Sequence, residues 1–356
     1  AAERKRYMSI RRSVFRIPGQ TVVLTVVTIL LSVRSSAQEN FRIVFYNVEN
    51  LFDVHDDPVK NDDEFLPEGK FRWTGWKYGK KLKNITRVIT AVGGMQSPAL
   101  VGLCEVENDK VISDLTAKSP LRAQRYDYIV TDSPDERGID VALLYQRHRF
   151  NLLEKNEYRI HFSNPATGPS RHILHAVGQL VNGDTLDVFV CHFPSRRGGQ
   201  RASEPARCDA ALLLRNKTDS LFRLRRHSHI VIMGDFNDHP DDKSLSRVLG
   251  AQKLSHPVTA KGLYNLFYHR MKEIDFGTYK FQGRWEVLDQ FIVSGDLLSA
   301  TSSVVLKNNE ATVFNADFLL EEDKKGKKRP YRTYMGPVYK GGFSDHLPIY
   351  IDLYIK

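Results

Sequence analysis

Apolar residues fall along this chain in short runs, and polar residues gather at the ends of those runs. "FRIVFYNV" from Phe41, "LVGLCEV" from Leu100, "VALLY" from Val141, "LDVFVCHF" from Leu186, "HIVIMGD" from His229, "LDQFIVS" from Leu288 and "HLPIYIDLYI" from His346 have the length and branched content of strands. Helical periodicity lies between them. "KKLKNITRVITAVGGM" sets Leu82, Ile85, Val88 or Ile89, and Val92 on one face, and Gly93-Gly94 ends it. "ARCDAALLLRNKTDSLFRLRR" repeats Ala210, Leu213, Leu214, Leu221 and Leu224 at the same spacing. Near-continuous apolar strands alternating with amphipathic helices predict an α/β protein with its strands buried under helices, not an all-β sandwich. No internal repeat and no Pro/Ser-rich linker divides the chain, so one domain is expected over residues 39–356.

The polar residues at the run ends are of a few kinds. Asn47, Glu49 and Asn50 close the first run, Glu105 the second, His192 the fourth, and Asp235 with Asn237 the fifth; Asp289 lies within the sixth, and Asp345 with His346 opens the last. Any one of them alone is an ordinary turn residue. Together they form a set of carboxylates, amides and histidines without thiolates, suited to a hard divalent cation, Mg²⁺ or Mn²⁺. A carboxylate beside an amide orients and deprotonates a water, and acid–histidine pairs neutralise phosphate. The set predicts metal-assisted hydrolysis at phosphorus.

Composition adds bounds. At 356 residues, 41% hydrophobic and 10% aromatic, the chain can bury a sizeable core. Residues 1–37 have the pattern of an export leader: a basic stretch, the apolar run "TVVLTVVTILLSV" and a small-residue cleavage site near Ala37. The run is short for a spanning helix, which needs roughly 20 residues; an uncleaved anchor and a buried N-terminal helix are the alternatives, and Met8 is a candidate start. The leader holds seven Lys/Arg and one Glu, a charge of +6, so the remainder, with 45 basic and 41 acidic residues, carries only +4 of the total +10. That permits a polyanionic substrate without arguing for one. "KKGKKRP" from Lys324 reads as a solvated loop. Three cysteines cannot build a disulfide framework, and without a CxxC a thiolate zinc site is not indicated.

The motifs "FYNVEN", "GLCEVEN", "VCHFPS", "MGDFND", "WEVLDQFIVS" and "FSDHLPI" resemble, in order and spacing, those of the endonuclease/exonuclease/phosphatase superfamily, from about Phe41 to the C-terminus. That superfamily includes pancreatic-type deoxyribonuclease, abasic-site endonucleases, neutral sphingomyelinases and inositol-phosphate 5-phosphatases. The resemblance implies a four-layer α/β sandwich: two mixed sheets packed face to face, helices outside, and the active site where strand ends converge. It implies Glu105 as metal ligand, with Asn47 helping to hold the metal or its water and Asp345 as a second metal contact. It implies Asp235 as the residue that activates water, Asn237 as the amide on the phosphate oxygen, and His346 on the scissile phosphate with Asp289 as its partner. His192 faces the phosphate, with Asp140 orienting it. Gly234 is expected to let the chain turn into this site.

Other residues keep two readings. Glu49 reads as support behind the metal ligands and Asn50 as a turn residue or cap; Asp238 and His239 read as capping and surface residues, and His172 and His175 as structural. Trp73 and Trp76 either stack a base or pack the first helix. Arg196, Arg197 and Arg201, in a basic Gly-rich loop after His192, are expected to contact substrate phosphates. The leading expectation is an exported, monomeric, Mg²⁺-dependent phosphodiesterase or endonuclease on nucleic acid, with no stable membrane insertion after processing. A hydrolase of a small phosphoester, nucleotide or phospholipid head group, and a catalytically silent binding module on the same fold, are the alternatives.

Overall fold

A computed structural model describes residues 40–356 except position 256. The leader expected over residues 1–37 lies outside the described residues.

Six of the apolar runs become the strands that matter for function: β1 (Asn40–Leu51), β2 (Leu100–Val106), β3 (Thr185–His192), β4 (His229–Asp235), β5 (Asp289–Ser294) and β6 (Ile349–Ile355). They are shared between two seven-stranded sheets. In the first, β1 is central, parallel to β2 and antiparallel to β6. Asp140–Tyr145, the third run, extends this sheet antiparallel beside β2. In the second, β4 is central, parallel to β3 and antiparallel to β5.

Alternation along each strand makes the layers. Phe45 of β1 and Val231 and Met233 of β4 point into one core between the sheets, with Leu100, Val188, Val190, Phe291 and Val293. Val44 and Tyr46 point the other way, onto the stripe Leu82, Ile85, Val88, Ile89 and Val92 of helix α1 (Gly75–Gly93). Ile230 and Ile232 likewise meet Ala210, Leu214 and Leu221 of helix α2 (Gln200–Leu224). Each strand is apolar on both faces because each is covered on both, and each fully buried Val, Leu or Ile contributes about 1.5–3 kcal/mol. The outcome is the expected four-layer α/β sandwich. Leu224 departs from its predicted face: it is exposed where α2 ends.

Two glycines mark close approaches. A Cβ at Gly102 would lie 2.6 Å from Cε of Met233, where the sheets touch. Gly234 corrects an expectation: it lies inside β4 and makes no turn, and a Cβ there would sit 2.4 Å from the carbonyl oxygen of Cys191 on β3. It is glycine so that β3 and β4 can pair closely just before Asp235. The positive φ that turns the chain belongs to Asn237, at 51°.

Candidate active site

Strand register assembles half of the site. His192 pairs with Asp235, and Asp235 with Asp289, so the ends of β3, β4 and β5 present one row of three side chains. The other half comes from the ends of β1 and β2. Their ladder is regular to the pair Asn47–Cys104 and then breaks. Glu49, Asn50 and Glu105 lie there with φ of 53°, 55° and 61°. Left-handed backbone at non-glycine residues costs on the order of 1–3 kcal/mol each and persists where the surroundings enforce it. Here it turns Glu105 toward the row on the opposite sheet.

The side chains interlock. Nδ2 of Asn47 donates to Asp235 Oδ2 at 3.1 Å and lies 3.5 Å from Glu105 Oε1. The N–H of Asn50 donates to Glu105 Oε2 at 3.0 Å, and the N–H of Asn237 to Asp235 Oδ1 at 3.0 Å. His346 Nδ1 meets Asp289 Oδ2 at 2.7 Å, while its Nε2 and that of His192 each lie 3.8 Å from Asp235 Oδ2. Tyr279 stacks on the His346 ring, with centroids 4.7 Å apart. These groups open into a cleft of about 880 Å³ that Glu105, Asp235, Asn237, Asp345 and both histidines line, with Arg137, Arg196, Phe281 and Arg284 toward its sides.

Electrostatics separate the two histidines. Burial drives the His192 ring well below its ordinary value, and the nearby Arg171 and Arg137 drive it further, so His192 is neutral. Burial opposes charge on His346 too, but the contact with Asp289, and then Asp235, hold it well above its ordinary value, as an imidazolium. Burial pushes Asp235 up to about 6, with His346 pulling it down and Asp289 pushing it up. Behind Asp345, burial and that neighbouring carboxylate push Glu49 up to about 7.

Several expected roles need correction. Asn47 was expected to help hold the metal or its water, but its Oδ1 accepts the N–H of Glu49 at 3.0 Å. The amide therefore turns its NH₂ toward the acids and positions them. Asp140 does not orient His192: its carboxylate is bound by the Thr131 hydroxyl and the Ser133 N–H, and His192 Nδ1 has no partner. Arg196 lines the cleft, but its guanidinium is held by the carbonyl of Asn237 at 2.7 Å, Glu286 at 3.1 Å and Asp242 at 3.4 Å. Arg197 and Arg201 are exposed and lie outside the lining. Asp345 lines the cleft with one oxygen bonded to Arg332 at 2.5 Å. Asp238, expected at the surface, is buried against Arg207, with nitrogen and oxygen 2.8 Å apart. Trp73 packs the interior, its indole N–H on the Phe52 carbonyl, and Trp76 is exposed. His175 is structural, bonded to Asp187.

Sequence reasoning missed Arg137 and Arg332. Arg137 donates to Asn50 Oδ1 at 2.6 Å and lies 3.8 Å from Glu105. Its position just before "IDVALLY" was the available signal.

The donor set suits a hard divalent cation. Asp235, Asp289 and His346 form a buried triad whose ligand atoms lie within 4.8 Å of one another. In that triad, however, His346 and Asp289 already satisfy each other. Glu105 and Asp345 also line the cleft; the Asn50 N–H holds Glu105 Oε2 and Arg332 holds Asp345 Oδ2, which leaves Glu105 Oε1 and Asp345 Oδ1 as candidate oxygens for the cation.

Two face-packed mixed sheets with acids and histidines converging on one edge define a phosphoester hydrolase of the four-layer class. The chain belongs to the endonuclease/exonuclease/phosphatase family, whose pattern matches residues 42–355. Members of that family are phosphoester hydrolases, generally dependent on a divalent metal. Among solved structures, the chain is similar to a family protein from Bacteroides thetaiotaomicron, at 18% identity over 90% of this chain and 99% of that one, with a TM-score of 0.54. It is similar to a mannosyl-6-phosphatase from the same species, at 19% identity over 88% and 99%, with a TM-score of 0.53. It is also similar to D. rerio TDP2 complexed with a single-strand DNA product, at 16% identity over 88% and 99%, with a TM-score of 0.53. No curated protein matches.

Proposed function

We propose that this protein is an exported, Mg²⁺-dependent hydrolase of small phosphate esters. The observation that carries the reading is the state of the arginines. An enzyme that tracks a polymer meets flanking phosphates with free basic side chains. Here Arg196 is engaged by Glu286, Asp242 and a carbonyl, and Arg197 and Arg201 lie outside the cleft. Arg284 remains, with Arg137 already donating to Asn50, in a cleft whose volume of about 880 Å³ is that of a small-ligand site. The likeness to a mannosyl-6-phosphatase supports the same reading. Export rests on the leader pattern of residues 1–37 alone.

The chain's own groups account for the chemistry. Asp235, anchored by Asn47 and the N–H of Asn237, is largely ionised near neutral pH and takes the proton of the attacking water. The His346 imidazolium, locked by Asp289, stabilises the negative charge that grows on the phosphoryl oxygens. Neutral His192, on the other side of Asp235, offers its Nε2 to a phosphoryl oxygen. Asn237 uses one amide hydrogen on the Phe193 carbonyl at 3.1 Å and keeps the other for substrate. Glu105 and Asp345 would hold Mg²⁺, which when bound neutralises phosphoryl charge.

A nucleic-acid reading rests on a different observation. Phe281, 51% exposed at the cleft side, offers a face on which a base can stack. A panel of sugar phosphates, nucleotides, inositol phosphates, sphingomyelin, DNA and RNA, assayed with Mg²⁺ and with EDTA, separates the two. We expect the highest kcat/KM on a small ester; a preference for DNA or RNA would reverse the assignment.

A further inference from the structure

The segment after β1, residues 52–74, holds acids that the active site does not use. Asp56, Asp62 and Asp63 bring carboxylate oxygens within 4.8 Å of one another. None of the three lines the catalytic cleft. Asp56 and Asp63 are exposed, whereas Asp62 is only 2% exposed. Its Oδ2 accepts the N–H of Asp57 at 3.2 Å, and its Oδ1 is buried with no partner.

An unpartnered buried carboxylate oxygen is unfavourable, and two more carboxylates beside it add repulsion. The lysines of the segment are turned to other partners. Lys60 donates to the carbonyls of Ser133 and Asp135, and Lys70 pairs with Glu64. The segment is nonetheless held firmly: Phe65 stacks on Phe52 with centroids 4.4 Å apart, and Trp73 donates to the Phe52 carbonyl. The carboxylates are thus held together with nothing among the described residues to neutralise them.

We propose that Asp56, Asp62 and Asp63 form a Ca²⁺ site separate from the catalytic cleft. The donors are all oxygen, which selects a hard cation. Two of the three are exposed, so water completes the irregular shell of six to eight ligands, about 2.3–2.6 Å away, that Ca²⁺ accepts and Mg²⁺ does not. Bound there, the ion ties the start of the segment at Asp56 to its middle at Asp62 and Asp63. It thereby braces the chain that leaves β1 just after Asn47, Glu49 and Asn50.

The test is calorimetric titration of the full chain with CaCl₂, together with thermal unfolding with and without Ca²⁺. Two variants are compared with the parent: Glu105→Gln, which weakens the catalytic cation site, and Asp62→Asn, which removes the buried charge at constant size. We expect Glu105→Gln to keep one Ca²⁺ site and the rise in Tm that Ca²⁺ brings. Asp62→Asn should lose that rise and bind Ca²⁺ roughly tenfold or more weakly at this site. The proposal is overturned if Asp62→Asn responds to Ca²⁺ as the parent does, or if Glu105→Gln binds none. Should Asp62→Asn fail to fold, the exposed Asp63→Asn takes its place: a comparable weakening supports the site, and unchanged Ca²⁺ binding overturns it.

Discussion

Replacing Asp289 by Asn removes one charge from a buried pair and leaves its shape in place. Oδ2 of Asp289 and Nδ1 of His346 are 2.7 Å apart, and both side chains are buried. With charge centres about 4 Å apart at an effective dielectric near 20, the pair contributes about 4 kcal/mol, about three decades in the protonation equilibrium of His346. Burial then opposes the charge with only Asp235 and Asp345 still favouring it, and the ring of the variant should be largely neutral at pH 7. Loss of the imidazolium should lower kcat/KM on p-nitrophenyl phosphate by roughly 10²–10³-fold. The deficit should shrink as pH falls and the ring recharges, until protonation of Asp235, near 6, ends the recovery. Stability follows the same sign. His346 is raised in the folded state, so its contribution is fully present below about pH 6.5, its unfolded value, and is lost as pH rises through the folded value. The Tm of the variant should therefore trail that of the parent most below about pH 6.5. Because the two residues act as one unit, Asp289→Asn with His346→Ala should be little worse than His346→Ala alone. Losses that multiply would refute the coupling.

Asp235→Asn should cost roughly 10²-fold or more in kcat/KM and erase the rise in rate that the parent shows as pH increases through about 6, read from pH–rate profiles. Glu105→Gln should raise the Mg²⁺ concentration for half-maximal activity by about 10–100-fold, measured after EDTA treatment and metal titration; an unchanged requirement would move the cation elsewhere. Arg196→Ala, which frees the 237 turn from Glu286 and Asp242, should lower kcat/KM by roughly tenfold on small and polymeric substrates alike, whereas Arg197→Ala with Arg201→Ala should leave both unchanged. N-terminal sequencing of protein from the native host should begin near Gln38; an intact N-terminus on a cytosolic species would refute export.

The fold and the catalytic row were legible for one physical reason: polar groups at the ends of doubly covered apolar strands are costly unless something uses them. His192, Asp235, Asp289 and Glu105 stood out on that ground, and the structure brings them together. What stayed hidden depends on contacts between distant segments. Arg332 follows a lysine-rich stretch that reads as a solvated loop, yet it reaches Glu49 and Asp345. Asp238 looked like a turn residue because nothing local reveals that Arg207, on α2, is buried against it. The Asn47 amide faces as it does because of the Glu49 N–H, a detail of strained backbone that no residue pattern encodes. The arginines after His192 were read from composition; in the fold Glu286 and Asp242 hold Arg196, while Arg197 and Arg201 sit exposed outside the cleft lining.

The row of His192, Asp235 and Asp289 also makes the second sheet a vernier. Three strands, one neighbour pair parallel and one antiparallel, coincide at a single rung. Because side chains alternate faces, a one-residue slip of β4 would turn Asp235 to the opposite face and bring Gly234 or Phe236 to its rung. Hydrolysis is therefore a molecular proof of alignment. Only chains whose two β4 interfaces have both closed on the correct rung can turn over substrate, so the active fraction of a refolded sample counts correctly paired sheets.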